Sequence, residues 1–277
     1  MIDGGTLLAG VAGWPVSHSR SPGLHNYWLA RHGINGAYVP LPVQPGKFEE
    51  AVRGLQAAGF RGLNVTIPHK ETAFRLATRL DPVAKRSGSV NTLVFREDGV
   101  IDGYSTDGPG LLASLKQETG YQPSGHAFIL GAGGAARSVA AALLEQGVTL
   151  TVSNRTRARA EELAQALDPA IRVADWTGWE ALLGDADLLI NTTSLGMSGG
   201  PDPAFCPDLS AARPDLIVSD IVYVPLETPL LREAARCGLK AAGGLGMLLH
   251  QARLGFREWF GADPEVDAAT FSHVLGK

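Results

Sequence analysis

His126-Ala127-Phe128-Ile129-Leu130-Gly131-Ala132-Gly133-Gly134-Ala135-Ala136 decides the fold: an apolar strand runs into a glycine turn, and a helical pattern opens directly behind it. The turn matches Gly-x-Gly-x-x-Gly/Ala. In that pattern Gly131 permits the tight bend, Gly133 lets backbone approach a pyrophosphate, and Ala136 allows the helix to pack closely. Ala132, Gly134 and Ala135 complete the turn, and the helix N-terminus supplies N–H donors to phosphate. A glycine pattern alone also fits an ordinary tight turn. The strand before, the helix after and a following strand–helix unit make dinucleotide binding the better reading.

Downstream of the turn the apolar runs continue at the spacing of a parallel sheet. Strands are expected at 127–130, 149–153, 171–174, 188–191, 217–222 and 239–242, with helices between them, as in a doubly wound Rossmann-type fold. Cofactor choice is read at the end of the second of these strands, where NAD-binding chains usually carry an acid for the ribose hydroxyl. Here stand Asn154-Arg155-Thr156, with Arg159 one turn on. No carboxylate repels a phosphate there, and two guanidinium groups with a hydroxyl suit the 2′-phosphate of NADP. A solvated basic helix start is the plainer alternative.

Upstream, short β-rich runs alternate with helical patterns: strands at 7–13, 37–43 and 63–66, helices at 22–32, 47–58 and 70–80. Such alternation argues for a sheet with parallel strands and covering helices. Ser21-Pro22 reads as an N-cap with proline at the first helical position. Segments 91–96 and 100–104, joined around Asp98-Gly99, read as a hairpin. After Asp107 a helix to about Thr119 and the polar break Gln122-Pro123-Ser124-Gly125 lead into the second series, and from Gly246 onward the pattern is helical. The expected organisation is therefore α/β with two domains. Residues 1–106 with 246–277 form a substrate-binding and catalytic domain, to which the C-terminal helices return, and 107–245 form the NADP-binding domain.

Composition bounds the partners. Of 277 residues, 45% are hydrophobic and 19% charged, enough apolar surface for two cores and too much for extended disorder. Net charge is −4 and no basic stripe occurs, which argues against nucleic acid; no ~18-residue apolar run is available to span a bilayer. The start, Met1-Ile2-Asp3-Gly4-Gly5, has no basic n-region, so a cytoplasmic protein is expected. Cys206 and Cys237 lack disulfide-framework or metal-ligand spacing and are expected to be reduced and partly buried; no metal site is expected. Asn64, Asn154 and Asn191 each begin an Asn-x-Thr triplet, and without secretion these asparagines need another explanation.

The chemistry concentrates at Asn64-Val65-Thr66-Ile67-Pro68-His69-Lys70, where a short strand delivers two polar side chains and a lysine to one rim, and at Gly103-Tyr104-Ser105-Thr106-Asp107. Lys70 by itself is equally a surface helix lysine, and Asp107 equally a helix cap. Beside a nicotinamide cofactor the two make a proton-handling pair suited to an alcohol and its ketone.

These motifs, with Gly13-Trp14-Pro15-Val16-Ser17-His18-Ser19-Arg20-Ser21-Pro22, Val90-Asn91-Thr92, Thr106-Asp107-Gly108, Asn191-Thr192-Thr193-Ser194-Leu195-Gly196-Met197, Asp220-Ile221-Val222-Tyr223 and Gly246-Met247-Leu248-Leu249-His250-Gln251, run through nearly the whole chain in an order that resembles the shikimate dehydrogenases and their quinate-oxidising relatives. The resemblance implies that Ser17 and Ser19, with Tyr223, hold a substrate carboxylate through neutral hydroxyls. It implies that Asn64, Thr66, Asn91, Asp107 and Gln251 fix ring hydroxyls and that Lys70 is catalytic. Thr192, Ser194, Met197 and Gly244 would lie toward the nicotinamide. It further implies hydride transfer between NADP and the ring 3-position of shikimate, a step of aromatic amino-acid and chorismate biosynthesis, in a cleft between domains of a monomer or homodimer. One departure stands out: Ser105 occupies a position where the family usually has asparagine, which bears on substrate choice among shikimate, quinate and amino analogues. Ser89 also replaces a usual alanine.

Overall fold

The computed structural model describes residues 2–276. In chain order the first elements are β1 (Leu7–Gly13), α1 (Ser21–Arg31), β2 (Gly36–Pro42), α2 (Phe48–Ala57), β3 (Gly62–Val65), α3 (Lys70–Leu76), β4 (Arg79–Leu80), α4 (Pro82–Ser87), β5 (Thr92–Phe95) and β6 (Ile101–Tyr104). They are followed by α5 (Asp107–Thr119), β7 (His126–Leu130), α6 (Gly134–Glu145), β8 (Thr149–Ser153), α7 (Arg157–Leu167), β9 (Arg172–Ala174), β10 (Leu188–Asn191), β11 (Ile217–Asp220), α8 (Pro229–Arg236), β12 (Lys240–Gly243), α9 (Gly244–Phe260) and α10 (Ala268–Val274). Two compact units result: Met1–Thr106 with Leu249–Lys277, and Asp107–Leu248.

The first unit carries a six-stranded sheet in the order β2-β1-β3-β5-β6-β4. β1 pairs in parallel with β2 and β3, whereas the β5–β6 hairpin enters antiparallel, so the sheet is mixed. β3 and β5 are buried at every position, their polar residues Asn64 and Thr92 included. On one face Phe48 and Val52 of α2 and Ala73 of α3 pack against Leu63, Val65 and Leu93. From Leu249 on, the C-terminal helices belong to this unit: Trp259 donates its indole N–H to the Leu93 carbonyl at 3.0 Å, and Arg20 donates to the Val274 carbonyl at 3.0 Å.

The second unit has the order β12-β11-β10-β7-β8-β9, every pairing parallel, the strand order of a doubly wound dinucleotide fold. Phe128, Trp179, Leu183, Leu189 and Val218 fill one face, each worth about 1.5–3 kcal/mol of apolar burial. α5 lies hard against α6. A Cβ at Gly108 would fall 2.6 Å from that of Ala142, and the Gly108 N–H donates to Ser138 Oγ at 2.9 Å.

Several expectations are corrected. The helix from Lys70 stops at Leu76, not Leu80: Ala77 turns extended, Thr78 N–H pairs with the Ile101 carbonyl at 2.7 Å, and Arg79–Leu80 joins the sheet beside Asp102 and Gly103. Asp102 holds both Arg79 and Arg96 at 2.6 Å, anchoring that short strand. Asp81 then caps α4, whose first residue is Pro82. Ser21 is not the cap of α1 but its first residue. Arg20 occupies the cap position, and Ser19 Oγ accepts the Ser21 N–H at 3.3 Å. No helix joins β10 to β11, because residues 196–207 carry three glycines and three prolines, and a 3₁₀ turn, Trp179–Asp185, follows β9. Cys206 and Cys237 are both exposed, the first in that irregular segment and the second at the end of α8, where it faces Glu233.

Candidate functional site

In the first unit the site grows from the C-terminal end of β3. Asn64, 7% exposed, accepts the Tyr38 hydroxyl on Oδ1 at 2.6 Å and donates from Nδ2 to Thr92 Oγ1 at 3.0 Å and to the Asn91 carbonyl at 3.4 Å. Thr66 follows, half-buried, and its carbonyl takes the His69 N–H at 3.0 Å to close the turn. His69 is an anchor, with its ring stacked on Phe48 at 4.6 Å and Nε2 at 2.8 Å from the Val43 carbonyl. This fixes where α3 begins, and its first residue is Lys70, half-buried, with its carbonyl accepting the Val90 N–H at 3.2 Å.

Asn91 is the centre of the polar cluster. Its Oδ1 accepts the Thr106 N–H at 2.7 Å, and its Nδ2 donates to Thr106 Oγ1 at 2.9 Å and to Gln251 Oε1 at 2.8 Å. The Thr106 N–H can only donate, so it sets the orientation of the Asn91 amide; that in turn leaves the Gln251 carbonyl oxygen toward Asn91. The structure thus brings Asn91 and Gln251 together across 160 residues. Thr92 and Thr106, which extend the cluster to Asn64 through a 3.5 Å hydroxyl pair, were not singled out as site residues by the sequence. Neither was Tyr38, whose partner is 26 residues away, a separation that leaves no pattern in the chain.

Ser17 is exposed and Ser19 half-buried in the loop after β1. Ser17 borders a groove of about 390 Å³ with Trp14, Pro15, Val16, Pro40 and Pro42. A larger cavity of about 620 Å³ beside α8, lined by Cys206, Arg232 and Arg236 among others, contains none of the candidate residues, so size is no guide to the chemistry here.

In the second unit Asp107 is the first residue of α5 and 6% exposed, held by the packing of Gly108 on α6. Gly131 has φ +108°, and a Cβ there would come within 2.6 Å of Thr192 Oγ1, so glycine is required. Gly133 caps α6 in an extended conformation with open space where its Cβ would stand, which leaves the backbone accessible, and Ala136 is fully buried. Ala132 and Gly134–Ala135 flank it at the start of α6.

At the end of β8 the Asn154 amide donates to the Thr156 carbonyl at 2.8 Å and shapes the turn into α7. Arg155, Thr156 and Arg159 are exposed, while carboxylates engage Arg157 instead, from Glu161 at 2.8 Å and Asp175 at 2.5 Å.

The loop after β10 is organised by Asn191, fully buried. Its Nδ2 donates to the Leu195 carbonyl at 3.1 Å and to Asp220 Oδ1 at 3.0 Å, and its Oδ1 accepts the Thr193 N–H at 3.0 Å. Asp220 also accepts the Val222 N–H at 3.1 Å and the Thr228 hydroxyl at 2.7 Å. Burial pushes the Asp220 carboxyl up to about 6, against these hydrogen bonds, which pull it down. Thr192, whose hydroxyl donates to the Leu130 carbonyl at 2.6 Å, is half-buried, and Ser194 and Met197 are exposed on the same loop. Tyr223 is half-buried after β11, and Gly244 opens α9 where a Cβ would strike the Ile221 carbonyl.

Chemically, one unit offers amides, hydroxyls and a lysine for a polyhydroxylated ligand, and the other a glycine turn, exposed guanidinium groups and an ordered loop for a dinucleotide phosphate. Among the described residues no cluster of His, Cys, Asp or Glu is placed to hold a metal ion, and no helix is long and apolar enough to cross a membrane.

The chain is similar to known proteins along nearly its whole length. Three family models match in chain order: the shikimate dehydrogenase substrate binding domain over residues 11–93, shikimate / quinate 5-dehydrogenase over 114–197, and the shikimate 5'-dehydrogenase C-terminal domain over 244–270. The shikimate dehydrogenase (NADP(+)) of Gluconobacter oxydans strain 621H is 54% identical over 271 residues, covering 98% of this chain and 96% of its own. A crystal structure of a shikimate dehydrogenase in complex with NADP+ superposes with a TM-score of 0.91 at 34% identity, over 100% of this chain and 97% of the other. The Thermus thermophilus enzyme in complex with NADP(H) and shikimate gives 0.85 at 36% identity, over 98% and 99%. This chain belongs to the shikimate dehydrogenase family.

Proposed function

We propose that this chain is an NADP-dependent oxidoreductase acting on a CH–OH group, a shikimate dehydrogenase that reversibly reduces 3-dehydroshikimate to shikimate in aromatic amino-acid biosynthesis. The observation that carries the reading is the continuous set of hydrogen bonds from Asn64 through Thr92, Thr106 and Asn91 to Gln251, in the unit that also presents Lys70, within a chain 54% identical to an NADP-dependent shikimate dehydrogenase. NADP supplies or accepts the hydride when bound. Gly131, Gly133 and the start of α6 receive its pyrophosphate, and Arg155, Thr156 and Arg159 its 2′-phosphate.

Ser17 and Ser19, with Tyr223, hold the substrate carboxylate, and the amides and Thr66 orient the ring hydroxyls. In the reducing direction Lys70 gives a proton to the carbonyl oxygen as hydride reaches the ring 3-position, and Asp107 orients that oxygen; oxidation reverses both transfers. Ser105 is buried, its N–H donating to Asp81 at 3.1 Å and its hydroxyl 3.5 Å from Ser87. Its exchange for asparagine therefore acts on substrate choice through the backbone that carries Thr106 and Asp107. The enzyme works in the cytoplasm as a monomer or homodimer, without nucleic acid or membrane partners, a reading supported by its weak net charge and by the lack of a spanning helix among the described residues. Reduction of NADP and of NAD with shikimate and with quinate, measured side by side, tests it: NADP with shikimate should be the fastest pair, and quinate outpacing shikimate would replace the substrate.

A further inference from the structure

We propose that Tyr38 is a positioning residue of the substrate site: from a buried seat on β2 its hydroxyl holds the Asn64 amide in the orientation that the Asn91 carbonyl sets. The proposal rests on the reading of Asn64 as a partner for a ring hydroxyl. An amide's oxygen and nitrogen are told apart by their partners, and here the partners leave one solution. The Asn91 carbonyl can only accept, so the Asn64 atom facing it is the nitrogen. The atom facing Tyr38 is then the oxygen, and the phenol 2.6 Å away must donate.

Tyr38 is well held for this task. It is 2% exposed, stacked on the His25 ring at 4.0 Å and 5°, and tilted against Trp259 at 5.9 Å. Burial pushes its phenol well above the ordinary value and pushes His25 down to about 3, so the donor keeps its proton and rests on a neutral imidazole. Both Asn64 N–H groups are directed at Thr92 and Asn91, and one lone pair of Oδ1 is taken by Tyr38. With both N–H groups used, Asn64 can meet a ligand only through Oδ1, and the buried His25 ring also interacts with this side chain. The site is thereby set to accept from a ligand hydroxyl at this position rather than to donate to one.

Tyr38→Phe removes the hydroxyl and keeps the stacked ring. It should raise the KM for shikimate roughly 5- to 20-fold, with kcat changed less than about 3-fold and the KM for NADP unmoved, the split expected of lost substrate orientation. Thr92→Val, which removes the amide's other side-chain partner, should give the same signature and serves if Tyr38→Phe folds poorly. In a double-mutant cycle, Tyr38→Phe should add little once Asn64 is alanine. An Asn64→Ala enzyme with raised KM beside a Tyr38→Phe enzyme at the wild-type KM overturns the positioning role and leaves the reading of Asn64 intact. Asn64→Ala at the wild-type KM overturns both, as would equal, additive losses in kcat and in the KM for each ligand overturn the positioning role.

Discussion

Lys70 is placed through its neighbour in the chain. His69, stacked on Phe48 and bonded to the Val43 carbonyl, fixes the residue at which α3 starts. If Lys70 moves the proton, Lys70→Ala should lower turnover by about 10²- to 10⁴-fold with cofactor affinity nearly unchanged; steady-state rates together with an NADP titration measure both, and a variant retaining half its turnover removes Lys70 from the chemistry. The arginines act on the other ligand. Arg155 and Arg159 are exposed where Arg157 is already committed to Glu161 and Asp175. The Arg155→Ala/Arg159→Ala double variant should therefore weaken NADP roughly 10- to 100-fold and leave NAD almost untouched. An equal loss for both cofactors in binding titrations would show that these side chains do not read the extra phosphate.

At the scale of elements, the two leading glycines of the turn before α6 serve different ends and should fail differently. Gly131 sits at φ +108° against Thr192, so Gly131→Ala should cost stability, by about 1–3 kcal/mol. Gly133 has an extended backbone that alanine adopts freely and open space at its Cβ, so Gly133→Ala should melt like the wild type yet bind NADP weakly. Thermal melts paired with titrations separate the two outcomes; a Gly133→Ala protein with full NADP affinity would mean that the pyrophosphate lies elsewhere.

The loop joining β10 to β11 makes a pH prediction. Asp220 has its folded value raised to about 6 from an ordinary 3.8, so the folded protein holds this proton more tightly than the unfolded chain does. The resulting stability is fully present below about pH 3.8 and is lost as pH rises through about 6. Asp220→Asn cannot titrate, so its unfolding free energy relative to wild type should grow by roughly 2–3 kcal/mol between about pH 4 and pH 7. Denaturant titrations at several pH values check this, and a flat difference would mean that the carboxylate is stabilised by its hydrogen bonds as fully as it would be by water.

At the scale of the whole molecule, what could be read in the chain followed from how each part is held. The central strands of the second unit were legible because β7 and β10 are covered on both faces and so appear as largely apolar runs. β4 was not, since two residues carry no period; the Arg79–Asp102 ion pair that holds it reaches across 23 residues. The cap at Asp81 before Pro82 was a local signal for α4 that the helical pattern after Lys70 masked. Of the candidate site, the asparagines were visible as triplets and motifs, and the structure gives each one local work: Asn64 in its strand, Asn154 in its turn, Asn191 in its loop. Their partners Tyr38, Thr92, Thr106 and Asp220 are ordinary residue types until folding sets them within 3.5 Å of an amide or hydroxyl.

Direct hydride transfer between the ring 3-position of shikimate and NADP underlies every role given to these residues. Oxidation of shikimate carrying deuterium at that carbon, with unlabelled NADP+ in ordinary water, measures the transfer itself. NADPH should carry one deuterium at the nicotinamide C4 for every 3-dehydroshikimate formed; recovery of the label in solvent, or its retention in the oxidised product, would contradict direct transfer.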